Sequence, residues 1–167
     1  MTVSSNTVKR GNMMNKILIV CLGNICRSPT AQAVLTAKAK QGNIPLQVDS
    51  AGTINYHQGK APDQRAQAAG EKRGYDFNGF TSRPVNEQDF AYFDYILAAD
   101  EQNKADLLAL CPVPYRHKIH LFLSFSDLSE SEVPDPYYGG EAGFEHVLDL
   151  LETASEQLLA RLGEHHE

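Results

Sequence analysis

The sequence predicts a single α/β domain built on a central, mostly parallel four-stranded sheet flanked by helices. Continuous apolar runs such as Ile17-Leu18-Ile19-Val20 and Ile96-Leu97-Ala98-Ala99 lack the alternation of a half-exposed strand, as do strands buried on both faces of a parallel sheet. Stretches of helical periodicity separate these runs, which is the pattern of parallel α/β construction. The chain has 167 residues, 42 % hydrophobic and 22 % charged, enough for one domain with a sizeable core and short for two.

Each element has its own signal. Lys16 to Cys21 reads as the central strand. Pro29 suits a first helical turn, and Ala31, Val34, Leu35 and Ala39 mark the apolar stripe of a helix ending near Lys40, before Gly42-Asn43. Leu46 to Ser50 is a second strand, and the small residues Ser50-Ala51-Gly52-Thr53 lead into a loop carrying Tyr56, His57 and Gly59. Pro62-Asp63 opens a helix reaching Lys72, with Gly74 as its C-terminal signal. Tyr75 to Val85 is irregular. Asp94 to Ala99 is a third strand, and Asp100 stands where an N-cap is needed for a helix from Glu101 to Leu110. Lys118 to Leu123 is the fourth strand, Ser124 to Gly140 a long loop, and Phe144, Val147, Leu148, Leu151, Ala154, Leu158 and Leu162 the apolar face of a closing helix. The arrangement is Rossmann-like, a class whose ligands sit beyond the carboxyl ends of the strands. The turn after Cys21, the loop after Ser50 and Asp100 all leave such ends and are predicted to converge on one pocket.

Composition narrows the function classes. A formal net charge of −6 argues against nucleic acid as a partner and requires local positive potential for any anionic ligand. No apolar run approaches the roughly 20 residues of a membrane-spanning helix. Three cysteines without metal-type spacing argue for a reducing compartment, the cytoplasm, over a secreted disulfide framework. Residues 1–14 read as a flexible N-terminal extension, 15–163 as the domain and 164–167 as a tail.

The chemistry concentrates in Cys21-Leu22-Gly23-Asn24-Ile25-Cys26-Arg27-Ser28-Pro29, between the first strand and the first helix. It has neither the spaced glycines of a dinucleotide fold nor the Gly-Lys-Ser/Thr ending of an NTPase loop. Five residues between Cys21 and Arg27 let the backbone wrap a tetrahedral dianion, with N–H groups and a forked guanidinium directed at its oxygens. Gly23 and Asn24 tolerate the positive φ of a tight loop. A thiol in that ring is favoured as thiolate, which points to phosphoryl transfer through a cysteinyl-phosphate. Such a route needs a proton donor for the leaving oxygen, and Asp135, between two prolines in the long loop, is the candidate.

The loop, together with Asp135-Pro136-Tyr137-Tyr138, resembles the low-molecular-weight protein tyrosine phosphatases. Further similarity runs through Asp49 to Thr53, Asp94 to Leu97 and Asp100 to Asn103, covering nearly everything from Lys16 to Leu162. The resemblance implies hydrolysis of protein phosphotyrosine and small aryl phosphates. It makes Cys21 the nucleophile, Arg27 the phosphate clamp, Ser28 a stabiliser of the thiolate, and Asp135 the general acid and then base. Leu22, Gly23, Asn24, Ile25, Cys26 and Ser28 would line or shape the phosphate loop. Asn24 and Ser50 correspond to a loop-fixing pair, and Leu22, Tyr56, Tyr137 and Tyr138 to the walls that grip an aromatic ring. Cys26 resembles the family's second cysteine, which can trap the oxidised nucleophile.

The resemblance implies no cofactor and no metal. The partners it implies are a tyrosine-phosphorylated protein, a bacterial tyrosine kinase among the candidates, and inorganic phosphate or oxyanion inhibitors, acting on a monomer or weak dimer. One departure stands out. Many relatives carry a loop-supporting histidine after the position of Gly74, whereas Gly79-Phe80-Thr81 has none, and none of the six histidines is assigned a role. Two rival readings remain: a thiol-dependent arsenate reductase on the same scaffold, and a phosphate-binding module without turnover. A reductase needs relay cysteines downstream, where only Cys111 lies; a pure binder needs neither Cys21 nor Asp135.

Overall fold

The computed structural model describes residues 14–136 and 140–165. Four strands, β1 (Asn15–Cys21), β2 (Leu46–Gly52), β3 (Tyr95–Ala98) and β4 (Ile119–Leu121), form one sheet in the order β2-β1-β3-β4. Every pairing is parallel, so the sheet is wholly rather than mostly so. The helices are α1 (Arg27–Gln41), α2 (Gln64–Lys72), α3 (Glu87–Tyr92), α4 (Glu101–Leu110) and α5 (Glu141–His165).

β1 is the central strand because its side chains are wanted on both faces. Ile17, Ile19 and Cys21 pack into the core shared with α1, α2 and α5, while Leu18 and Val20 pack into the core shared with α3 and α4. The absence of alternation in its sequence records this two-sided burial. α5 lies mainly against α1, burying Val147, Leu151, Ala154 and Leu158. β4 is shorter than the run Lys118 to Leu123 predicts. Its register pairs Leu121 with Ala98, the last residue of β3, so no ladder partner remains and Phe122–Phe125 turns into a 3₁₀ helix. α3 has too few apolar positions to show a period; its signal is a capping box between Asn86 and Asp89.

Both termini of α2 are fixed by specific bonds. Gly74, with φ of 90°, follows the cap of α2 and lets Tyr75 N donate to Gly70 O. At the other end of α2, the Asp63 carboxylate accepts from Arg65 N at 2.8 Å and Ala66 N at 3.4 Å, and from the Arg65 guanidinium. The Asp63 N–H donates to Ile25 O at 2.7 Å, tying this helix to the cysteine loop.

Partial burial works to raise the Asp63 carboxyl, but the Arg65 side chain and the two capping N–H groups outweigh it, and its titration lies below the ordinary 3.8. A depressed folded value means that the charge stabilises the protein above pH 3.8 and that this contribution is lost as pH falls through the folded value. Asp63→Asn keeps a capping oxygen and removes only the charge. We expect it to cost roughly 0.5 kcal/mol at neutral pH, a gap that closes on acidification; urea unfolding across a pH series measures it, and a gap independent of pH would contradict the assignment.

Candidate active site

β1 delivers Cys21 to the carboxyl edge of the sheet, and the chain from Leu22 to Cys26 curls back into α1. Gly52, at the end of β2, lies directly beneath this loop. Its successors continue alongside it, with Thr53 N donating to Cys21 O at 3.0 Å and Ile54 N to Leu22 O at 3.1 Å. Asn24 adopts φ of 59°, the left-handed conformation an asparagine accepts more readily than most residues. Among the described residues, no main-chain N–H from Gly23 to Ser28 donates to a protein acceptor. Donors left without a protein partner in a loop that lines the cavity with Cys21, at the N-terminus of α1, suit a ring of donors for an oxyanion.

The ring is braced from below by a buried polar chain. The Asn24 side-chain amide donates to Ser28 Oγ at 2.8 Å and to Ser50 Oγ at 3.0 Å. Ser50 passes its own proton to Gln32 Oε1 at 2.7 Å. Ser28 Oγ, having accepted from Asn24, lies 3.1 Å from Cys21 Sγ and 3.5 Å from Ala51 O; with Cys21 as a thiolate, which can only accept, the Ser28 hydrogen turns to the sulfur. From the segment after Gly79, Arg83 N donates to Asn24 Oδ1 at 3.0 Å and Ser82 Oγ to Gly23 O at 2.9 Å. The segment that lacks a histidine thus supports the loop through one main-chain N–H and one hydroxyl.

Among the described residues that line the site, Arg27 is the one arginine or lysine. Its Nη1 donates to Asp100 Oδ2 at 2.7 Å and to Val133 O at 3.0 Å, and its Nη2 lies 3.8 Å from Asp135 Oδ2. Burial works to lower its proton affinity, but the Cys21 charge, the Asp100 hydrogen bond and the Asp100 and Asp135 charges prevail, and the guanidinium is held more firmly protonated than usual. Asp100 both caps α4, accepting from Asn103 N at 2.7 Å, and orients Arg27. The same pocket takes in Cys26, whose thiol burial and the nearby Asp63 charge push up to about 12, leaving it neutral.

A cavity of about 240 Å³ opens over the ring, lined by Cys21, Leu22, Gly23, Ile25, Cys26, Arg27, Tyr56, His57 and Asp135. Eight of these nine match predicted site residues. Asn24, Ser28 and Ser50 stand behind the wall, while Tyr137 and Tyr138 fall outside the described residues. Among those described, no three His, Cys, Asp or Glu side chains are grouped to hold a metal ion.

Comparison with known proteins identifies the family. The family model for low molecular weight phosphotyrosine protein phosphatase matches residues 16–167. The chain belongs to that family. A Synechocystis sp. relative named for the same phosphatases is 47 % identical over 152 residues, covering 89 % of this chain and 96 % of its own. The human low molecular weight phosphotyrosine protein phosphatase is 40 % identical over 139 residues, covering 78 % of this chain and 85 % of its own. A protein tyrosine phosphatase structure from Entamoeba histolytica superposes with a TM-score of 0.87 at 46 % identity, covering 92 % of this chain and 99 % of that one.

Within this low-molecular-weight phosphatase, several contributors escape sequence reasoning. Gln32 looks like an ordinary polar position on an alanine-rich helix, yet it orients Ser50. His57, given no role from sequence, lines the mouth, packed edge-on against Tyr56 at 4.9 Å; its neighbour Tyr56 was the available clue. Gly52 is legible only in part. A Cβ there would sit 2.8 Å from Leu22 O, 3.1 Å from Gly23 C and 3.1 Å from Ile54 O, all main-chain atoms that cannot swing aside. We therefore expect Gly52→Ala to lose about 1–3 kcal/mol of stability and to weaken binding of inorganic phosphate, by denaturant unfolding and calorimetry. Unchanged phosphate affinity would show that the loop does not depend on this close approach.

Proposed function

We propose that this protein is a protein tyrosine phosphatase acting through a cysteinyl-phosphate on Cys21. The observation that carries the reading is the convergence in one cavity of a thiol, a ring of unpartnered N–H groups, a clamped guanidinium and the carboxylate of Asp135. The phosphate dianion of the substrate enters the ring, its oxygens meeting the loop N–H groups and Arg27. The Cys21 thiolate, receiving the Ser28 hydrogen bond, attacks phosphorus from below. The S–P bond forms as the P–O bond to the ring breaks, and Asp135 gives its proton to the departing phenolate oxygen. Asp135, now ionised, takes a proton from water. The water oxygen attacks phosphorus, the S–P bond breaks, and inorganic phosphate leaves a restored thiolate. Charge developing on the phosphoryl oxygens is met by preorganised dipoles and Arg27, so no metal is called for.

The exposed apolar side chains lining the cavity, Leu22 at 44 % and Tyr56 at 77 % exposure, support a ring-bearing substrate. A phosphotyrosine carries its phosphate to the floor of the cavity while its ring lies against these side chains; the shorter phosphoserine leaves them unused. Tyrosine-phosphorylated proteins are the substrate class, bacterial tyrosine kinases among the candidates, for an enzyme that is a monomer or weak dimer; Tyr137 and Tyr138, outside the described residues, are further candidates for ring binding. Three unpaired cysteines suit a reducing compartment such as the cytoplasm, and among the described residues no helix is long and apolar enough to cross a membrane.

Cys111 speaks against the reductase reading. It packs in the core on the α3–α4 side of the sheet, whereas Cys21 packs on the other, and its Sγ is engaged with Pro112 O, so it forms no relay with the cysteine loop. The assay is hydrolysis of a chromogenic aryl phosphate. Cys21→Ser should abolish it, Asp135→Ala should lower kcat by roughly a hundredfold or more, and EDTA should leave it unchanged. Full activity in Cys21→Ser protein would overturn the mechanism.

A further inference from the structure

We propose that Arg83 is a positioning residue for the nucleophile, acting through a closed circuit of bonds that runs Arg83–Asp49–Ser50–Asn24–Arg83 and sets which end of the Asn24 amide faces Ser28. The inference rests on the reading of Cys21 as the reactive thiol. Arg83 does not line the cavity; its guanidinium is engaged with two carboxylates and, through Nη1, with Pro84 O at 3.2 Å. Nη1 and Nη2 fork onto the two oxygens of Asp89 at 2.9 and 3.1 Å, and Nη2 also reaches Asp49 Oδ2 at 3.1 Å. Asp89 is buried and fixed in turn by the N–H of Asn86 at 2.8 Å, so the fork has a rigid anchor. Asp49 is the residue before Ser50, whose N–H it accepts at 2.8 Å.

The circuit matters because the Asn24 amide is held from opposite ends by its two sides. Ser50 Oγ, on β2, takes one hydrogen of Nδ2, while the main-chain N–H of Arg83 takes Oδ1. The Arg83 side chain ties this second support back to β2 at the residue beside the first. Were the amide to flip, its nitrogen would face the Arg83 N–H, donor to donor, and its oxygen would face two hydroxyl groups. The Arg83 N–H therefore selects the orientation in which Ser28 accepts from Asn24 and is left to donate to Cys21. Main-chain bonds of Gly52 with Arg83 O and Val85 N hold the same segment along its other edge, but neither reaches the N–H that selects the amide. The two carboxylates fix that edge through the one side chain able to fork between them; a lysine keeps the charge and loses the fork.

The test reads the thiol directly. Alkylation of Cys21 by neutral iodoacetamide at pH 7, quantified by peptide mapping, needs no assumption about turnover, and thermal unfolding of each variant reports whether it is folded. Arg83→Lys should slow alkylation roughly fivefold, the worth of one hydrogen bond. Asp49→Asn, a substitution at a partly exposed side chain that leaves the fold intact should Arg83→Lys fail to fold, should slow it in the same direction, although removing a negative charge would on Coulomb grounds favour the thiolate. In a Ser28→Ala background, adding Arg83→Lys or Asp49→Asn should change the rate no further, because the effect passes through Ser28. Faster alkylation in Asp49→Asn, an unchanged rate in folded Arg83→Lys, or full additivity with Ser28→Ala would each overturn the proposal. If the alkylation pattern holds but the wild type hydrolyses no aryl phosphate, the positioning role stands and the phosphatase reading fails.

Discussion

One guanidinium nitrogen joins the parts of the site that the chain separates most widely. Nη1 of Arg27 donates at once to Asp100, at the end of β3, and to the main-chain oxygen of Val133, two residues before Asp135. Val133 N in turn donates to Ala99 O at 2.8 Å, so the loop bearing the acid is docked on the sheet edge from both sides of one buried residue. Arg27, the proposed phosphate clamp, therefore also sets where Asp135, the proposed proton donor, stands. Losing Arg27 would remove the anion clamp and release the Val133 carbonyl and the Asp100 carboxylate from their common donor, a cost larger than that of a single hydrogen bond.

A second constraint follows from burying polar groups under a loop. Asn24, Ser28 and Ser50 are all nearly inaccessible, and such groups destabilise a fold unless each donor finds an acceptor. The chain meets this with a directional series in which every hydroxyl passes on the hydrogen bond that it receives: Asn24 to Ser28 to Cys21 on one branch, Asn24 to Ser50 to Gln32 on the other. The bonds that satisfy these buried groups are the same ones that reach the sulfur of Cys21. The left-handed backbone at Asn24 brings the side chain under the loop and is offset by these bonds, three of which run through its amide.

Much of this was legible in the residues alone. β1 and β3 announce themselves because burial on both faces leaves a continuous apolar run, and the Cys21–Arg27 spacing with a distant Pro-Asp-Pro corner carries enough chemistry to find three groups that meet in one cavity. What stayed hidden has a physical reason in each case. α3 is six residues long, too short to show a period, and β4 stops where its partner stops, a matter of register and not of local preference. Arg83 reaches Asn24 through a main-chain N–H, which any residue but proline possesses, so no residue type marks it; the missing histidine announced that support was needed but not where it came from. Gln32 is read as helix surface because its acceptor role exists only once β2 lies beside α1.

The central claim is that phosphoryl transfer passes through a covalent bond to Cys21. A rapid denaturing quench during turnover of an aryl phosphate, followed by peptide mass mapping, tests it most directly. One phosphoryl group is expected on the peptide containing Cys21, absent when residue 21 is replaced by alanine. Hydrolysis proceeding with no covalent phosphoryl-enzyme, or with the group attached to His57 instead, would contradict it.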